Sequence, residues 1–300
     1  MLLQNKNAVI YGAAGSLGST VAKAFAAAGA NVFLTGRTLS TLQKVADEII
    51  ASGGKAEIAE VDAMEKQSVN NHLKTILQKA GSVDISFNLI DLQVIQGIPL
   101  TDMQMADFVR PVAVAMQTHF ITDTAAAKIM KQQGSGVILS LTATPGGVAY
   151  PGVAGFGPAC CAIEGFSKNL ASEIGGFGVR VVNIRSAGSA DSEVFKNAVA
   201  AQPEEMKIVF AGMKSDTMLK KLPPMADIAN LAIFLASDMA ASITGVTVDH
   251  LWFYIRLELQ VRHYVYKQGI KSYLCVCGMM MEIKSIKKWH IISIVKFRYL

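Results

Sequence analysis

Along the first 249 positions, short apolar and β-branched runs alternate with longer stretches whose apolar residues recur at helical spacing. The short runs predict strands near 7–12, 31–35, 56–60, 83–89, 135–141, 179–185 and 245–249. The longer stretches predict helices near 17–29, 39–52, 65–80, 102–132, 155–176 and 225–237. In the helix over 155–176, Ala159, Ala162 or Ile163, Phe166, Leu170 and Ile174 share one side and are expected to face a sheet. Pro151, Pro158 and the Pro223-Pro224 pair punctuate the connections. Strict strand–helix alternation predicts a doubly wound parallel sheet with helices on both faces, a three-layer α/β/α domain of the Rossmann kind. The stretch 187–222 has mixed polarity and weak periodicity, and reads as a lid or substrate loop. No internal repeat is visible.

The first strand runs into Tyr11-Gly12-Ala13-Ala14-Gly15-Ser16-Leu17-Gly18, and an alanine-rich helical pattern follows from Ser19. Strand, tight glycine turn and helix together aim a helix N-terminus and free backbone N–H groups at a phosphate. Glycine tolerates positive φ and has no Cβ to hold a ligand's oxygens away. Gly12, Gly15, Ser16, Leu17 and Gly18 are therefore expected to cradle a dinucleotide. The second strand ends in Phe33-Leu34-Thr35-Gly36-Arg37 with no Asp or Glu in place. An acidic residue there binds a ribose 2′-hydroxyl, whereas arginine accommodates a 2′-phosphate, so Arg37 favours NADP(H) over NAD(H).

Composition narrows the class. With 300 residues, 51% of them hydrophobic, the chain can bury one large core, yet no run of about 18 uncharged apolar residues predicts a membrane span. Met1–Lys6 leads into the first strand without a signal-peptide pattern. Cys160, Cys161, Cys275 and Cys277 form no disulfide framework, which fits a reducing, cytoplasmic setting. The five histidines are scattered, so no metal site is expected. Nine of the 28 Lys/Arg residues and two of the 23 Asp/Glu residues fall in 250–300. That segment therefore carries +7, and the first 249 residues, with 19 basic and 21 acidic side chains, carry −2. The globular part lacks the basic surface that nucleic-acid binding requires.

The glycine loop, Arg37 and Gly178-Val179-Arg180-Val181-Val182-Asn183 together resemble the short-chain dehydrogenase/reductase family over about 1–249. The resemblance makes Asp62, after the third strand, an adenine contact and implies that Asn88 begins the family's Asn-Asn-Ala-Gly motif, which here reads Asn88-Leu89-Ile90-Asp91. Ala187-Gly188 stands for the family's Pro-Gly, with Ser192 near its threonine. In the cofactor loop, Tyr11 replaces a threonine and Ser16 the middle glycine. The family's tyrosine acts as acid and base, because a neighbouring lysine lowers its pKa. A serine polarises the substrate, and an asparagine supports a proton relay. Those four positions fall on Phe156, Cys160, Ala143 and Ala115, so the whole set is replaced.

Thr144 and Tyr150 are the nearest substitutes, Thr144 one residue past the serine position and Tyr150 six before the tyrosine position. Lys168, two helical turns beyond Cys160, stands too far along the helix. Tyr150 also reads as a loop aromatic packing on its surroundings, Cys160 and Cys161 as core, and His119 as a satisfied surface or interface histidine. The implied function is NADP(H)-linked hydride transfer to or from a small carbonyl or alcohol by a non-standard mechanism. The alternative is a catalytically inactive nucleotide-binding or assembly protein of the same fold. Family members often form homodimers or homotetramers through the helices over 102–132 and 155–176, and no nucleic-acid partner is implied. Residues 250–300 break this pattern abruptly, holding both tryptophans, nine aromatics and Cys275-Val276-Cys277. They read either as a membrane-surface or partner-binding appendage or as a change of reading frame, with the domain ending at 249.

Overall fold

Seven parallel strands run in the order β3-β2-β1-β4-β5-β6-β7 through the middle of the computed structural model. They are β1 (Asn7–Tyr11), β2 (Asn31–Gly36), β3 (Lys55–Glu60), β4 (Ile85–Asn88), β5 (Gly136–Ala143), β6 (Val179–Ser186) and β7 (Val246–His250). The helices are α1 (Ser16–Ala27), α2 (Leu39–Ala51), α3 (Lys66–Ala80), α4 (Met105–Gln133), α5 (Phe156–Ile174), α6 (Glu193–Ala201), α7 (Pro203–Asp216) and α8 (Met225–Ala236). The structure describes residues 1–250, 263–265, 270–276 and 279–283.

β1 to β4 are buried or nearly so on both faces, apart from the edge strand β3, and each face is covered by its own helices. One core layer joins Ala8, Ile10, Leu34 and Leu139 of the sheet to Val21 and Phe25 of α1, Leu42 and Ile49 of α2, and Ala232 and Leu235 of α8. The other joins Val9, Phe33, Ile138 and Val181 to Leu73 and Ile76 of α3, Met130 of α4, and Leu170 and Ile174 of α5. Phe25 and Phe87 stack at 6.4 Å across the first layer. Such a pair contributes about 0.5–1.5 kcal/mol beyond the area it buries. The helical spacing of α5 holds in three dimensions, with Ala159, Ile163, Leu170 and Ile174 buried. Phe166 is half-buried beside Phe120 of α4 at 6.3 Å.

Two departures from the sequence reading stand out. The 187–222 stretch is largely helical: α6 and α7 occupy most of it. α6 buries none of its residues, although Val194, Phe195, Ala198 and Val199 recur at helical spacing, a signal that the sequence reading passed over. His119 is not at the surface but 2% exposed, with its Nδ1 3.0 Å from Asp123 Oδ2 one turn on.

Contacts divide the chain into two units, Met1–Tyr254 and Ile255–Leu300. The second contains a three-stranded antiparallel sheet of β8 (His263–Val265), β9 (Ile270–Val276) and β10 (Met279–Ile283), in the order β10-β9-β8. Both tryptophans and Cys277 lie outside the described residues. Among the described helices none is long and apolar enough to cross a membrane.

Candidate functional site

The chain winds from β1 outward to β3 and then crosses back to β4, so the direction of winding, not of the strands, reverses between β1 and β4. In open α/β sheets this reversal opens a crevice beyond the carboxyl ends of the strands. Tyr11-Gly12 and Asn88-Leu89 flank it, with Tyr11 and Asn88 in register.

The glycine loop is wound tightly. Gly12 has φ +75°, and a Cβ there would lie 2.5 Å from the Leu89 carbonyl oxygen. At Gly18 a Cβ would lie 2.2 Å from the Gly12 carbonyl oxygen, so neither position accepts a side chain. Gly15 has ordinary room, its nearest neighbour being 3.4 Å away. Gly15 caps α1 without a side-chain hydrogen bond, and no acidic residue occupies the helix's first turn. The helix thus begins with open N–H donors and the positive end of its dipole. Leu17, in the first turn of α1, is half-buried against the core. Tyr11, at the family's threonine position, points away from this cradle into the α3–α4 layer at 1% exposure. Its hydroxyl has no hydrogen-bond partner among the described residues. Burial, reinforced by the Asp123 carboxylate, pushes its pKa up, so the phenol stays neutral.

The other expected cofactor residues line the same edge. Arg37 follows β2, is exposed, and has no partner among the described residues. Asp62 is half-buried and accepts the Met64 N–H at 2.9 Å. Asn88 faces inward: its Nδ2 donates to Thr122 Oγ1 at 3.1 Å, and its Oδ1 accepts the Ile90 N–H at 3.1 Å. It shapes the turn after β4 rather than reaching into the crevice. Gly188 lies against α6 and α7, where a Cβ would meet the Phe195 ring at 2.7 Å and Met213 Cε at 2.9 Å.

The positions that the resemblance assigns to acid–base chemistry carry Ala115, Ala143, Phe156 and Cys160, and Glu164 and Arg185 lie near Cys160. Ala115 is fully buried in a cluster with Ala159 and Ile163. Ala143 ends β5, and Phe156 opens α5 half-buried. Cys160 is fully buried, and burial pushes its thiol up to about 11, which leaves it protonated and inert. Thr144 is 5% exposed in the turn after β5. Tyr150 is half-buried and packs on Ala187, which puts it at the end of β6 despite its displacement in sequence.

Beneath that turn lies a polar network that the sequence reading missed. Ser140 Oγ donates to Asn183 Oδ1, Asn183 Nδ2 to Thr142 Oγ1, and Thr142 Oγ1 to Glu164 Oε1, at 2.8, 2.7 and 2.9 Å. Arg185 closes it, donating to both Glu164 oxygens, to Asp249 Oδ1 and to the Gly146 carbonyl. Hydrogen bonding to Glu164 holds the Arg185 guanidinium above its ordinary pKa. The visible signal was an arginine inside the apolar strand Val179–Ser186; its partners were not adjacent in sequence. Among the described residues no His/Cys/Asp/Glu group is placed to hold a metal.

Residues 12–250 match the family model described as enoyl-(acyl carrier protein) reductase, and the chain belongs to the short-chain dehydrogenase/reductase family of oxidoreductases. It is 31% identical to a 3alpha-hydroxysteroid dehydrogenase of Mediterraneibacter gnavus over 247 residues, 82% of this chain and 95% of that one. Its fold resembles an NAD+-bound xylitol dehydrogenase with a TM-score of 0.78 at 20% identity, over 83% of this chain and 99% of the other. It also resembles a Burkholderia cenocepacia gluconate 5-dehydrogenase in complex with NADP and tartrate, with a TM-score of 0.74 at 21% identity, over 82% and 94% of the chains. The family binds NAD or NADP. The open α1 N-terminus above a cradle that excludes side chains at Gly12 and Gly18 fits such a dinucleotide.

Proposed function

We propose that the chain binds NADP(H) in this crevice and exchanges hydride with a small carbonyl or alcohol substrate. In this reading Gly12, Gly15, Ser16, Leu17 and Gly18 hold the diphosphate, with backbone N–H groups as donors. Arg37 takes the 2′-phosphate and Asp62 the adenine side. Asn88 acts through the turn it holds, and Gly188 lets the lid approach. When bound, the nicotinamide supplies or accepts hydride at its C4. The observation that carries the choice of NADP(H) is Arg37, exposed after β2 and without a partner among the described residues, with no Asp or Glu at the end of that strand.

The residues around the reacting end position a substrate and exclude water, and such positioning by itself accelerates a hydride transfer. With Phe156 and Cys160 where the resemblance expects the phenol and the lysine, the proton comes from solvent or from Thr144 or Tyr150, and the packing of Tyr150 on Ala187 supports the latter. A cytoplasmic location fits this chemistry. The helices α4 and α5, with Phe120 58% exposed beside Phe166, suit assembly into a dimer or tetramer.

Titration calorimetry with NADPH and NADH, followed by NADPH oxidation across a panel of ketones and aldehydes, tests the reading. Binding that favours NADPH together with turnover supports it; no binding of either nucleotide overturns it. A second reading, nucleotide binding without turnover, is favoured by the apolar replacements Ala115, Ala143, Phe156 and Cys160. NADPH binding with no oxidation across the panel would select it.

A further inference from the structure

Ser16, the first residue of α1, touches the lid directly. Its Oγ accepts the backbone N–H of Glu193, the first residue of α6, at 3.3 Å across 177 positions of sequence. The Ser16 carbonyl takes the hydroxyls of Ser19 and Thr20 at 3.1 and 2.8 Å, which holds its backbone while its side chain meets α6. Neither helix start is capped by a side chain: Gly15 and Ser192 both stand at N-cap positions without such a bond. Two open sets of N-terminal N–H groups therefore meet at one hydroxyl. The rest of the lid is anchored separately. The Asp191 carboxylate accepts the Met225 N–H at the start of α8, and Phe195 packs on Phe210 at 5.4 Å. Ser189, three residues before the α6 cap, is 6% exposed, and its hydroxyl has no hydrogen-bond partner among the described residues.

We propose that Ser16 is a positioning residue that couples occupancy of the glycine loop to closure of the α6–α7 lid. A hydroxyl has one hydrogen to donate and two lone pairs to accept with. In the contact with Glu193 the oxygen accepts, so its hydrogen stays available to a phosphate oxygen on the loop. One side chain thereby serves lid and nucleotide together, and each contact favours the other. A glycine at this position, or an alanine, would leave α6 with no hydroxyl to dock against. The bond is solvent-facing and single, so it biases the lid rather than locking it. The lid contact stands independently of the nucleotide; the coupling rests on the dinucleotide reading above.

Hydrogen exchange of the full-length protein over 189–201 tests both parts, using wild type, Ser16→Ala, Ser16→Gly and Ser16→Thr, with equal melting temperatures as the folding control. Without nucleotide, the Ala and Gly variants should exchange about two- to tenfold faster at the start of α6, and the Thr variant like wild type. With NADPH, wild type and Ser16→Thr should gain more protection there than Ser16→Ala. Equal exchange of wild type and Ser16→Ala without nucleotide overturns the latch. Equal NADPH-induced protection overturns the coupling. Calorimetry on wild type separates the two layers: absent NADPH binding removes the dinucleotide reading and the coupling, while an exchange difference in the free protein still upholds the latch.

Discussion

Arg185 grips Glu164 through both carboxylate oxygens, its Nε donating to Oε1 at 2.9 Å and its Nη2 to Oε2. The Glu164 side chain is 6% exposed and that of Arg185 15%, so the pair ties α5 to β6 out of water. Through Arg185 Nη2 and the Gly146 carbonyl, the grip extends to the turn that carries Thr144. This buried ion pair stands one turn of α5 beyond Cys160.

Removing one partner of a buried pair strands the other charge. Glu164→Gln should lower stability by roughly 3 kcal/mol, by the usual penalty for breaking a buried ion pair. Asp249→Asn, which breaks the half-exposed bond from Arg185 Nη1, should cost less than about 1 kcal/mol. Urea denaturation of the two variants checks the order; equal losses would mean that Asp249 carries as much of the network as Glu164.

The glycine loop predicts a contrast between two alanine substitutions. At Gly18 the new Cβ would sit 2.2 Å from a backbone oxygen, whereas at Gly15 it has 3.4 Å. Gly18→Ala should cost about 1–3 kcal/mol through the forced backbone shift. Gly15→Ala should melt like wild type, and any loss in that variant should appear in nucleotide affinity alone. Thermal denaturation with parallel calorimetry reads both.

If Arg37 holds a 2′-phosphate, Arg37→Ala should weaken NADPH binding about ten- to hundredfold, the range for a charge-assisted hydrogen bond. NADH affinity should hardly change. Raising the salt concentration should weaken wild-type NADPH binding more than that of the variant, because the exposed pair is screened.

His72 offers a pH signature. Burial pushes its pKa from 6.5 down to about 4; the nearby Lys79 adds to the fall and Glu57 opposes it. The unfolded chain therefore takes up the proton first as pH falls. Folded stability should be intact above pH 6.5, decline through the window from 6.5 to 4, and level off below it. By linkage the loss amounts to about 3 kcal/mol in all. His72→Gln should flatten that part of the stability–pH curve. A curve unchanged by the substitution would assign the acid sensitivity elsewhere.

The division at Tyr254 predicts that a fragment of residues 1–254 keeps the melting temperature and nucleotide affinity of the full chain. A fragment ending at 245 removes β7 and with it Asp249, the Arg185 partner, and should unfold at lower temperature. If the 1–254 fragment instead proves insoluble, the second unit contributes to folding of the first.

The sequence by itself determined the layered α/β architecture, the glycine cradle and the position of Arg37. Each of these is written locally: apolar runs of strand length, helical periodicity, and glycines at a turn between them. The sequence also carries Ala115, Ala143, Phe156 and Cys160 where the resemblance expects the family's acid–base residues. The tertiary structure decided what lies between distant segments. It set α6 against α7 through Phe195 and Phe210, whose rings lie 5.4 Å apart. It buried His119, because Asp123 one turn on compensates for its loss of water. It brought Glu164 to Arg185 over 21 positions and Ser16 to Glu193 over 177. Pairings of that kind depend on which strand ends and helix starts the sheet brings together, and no local pattern of residue types encodes them.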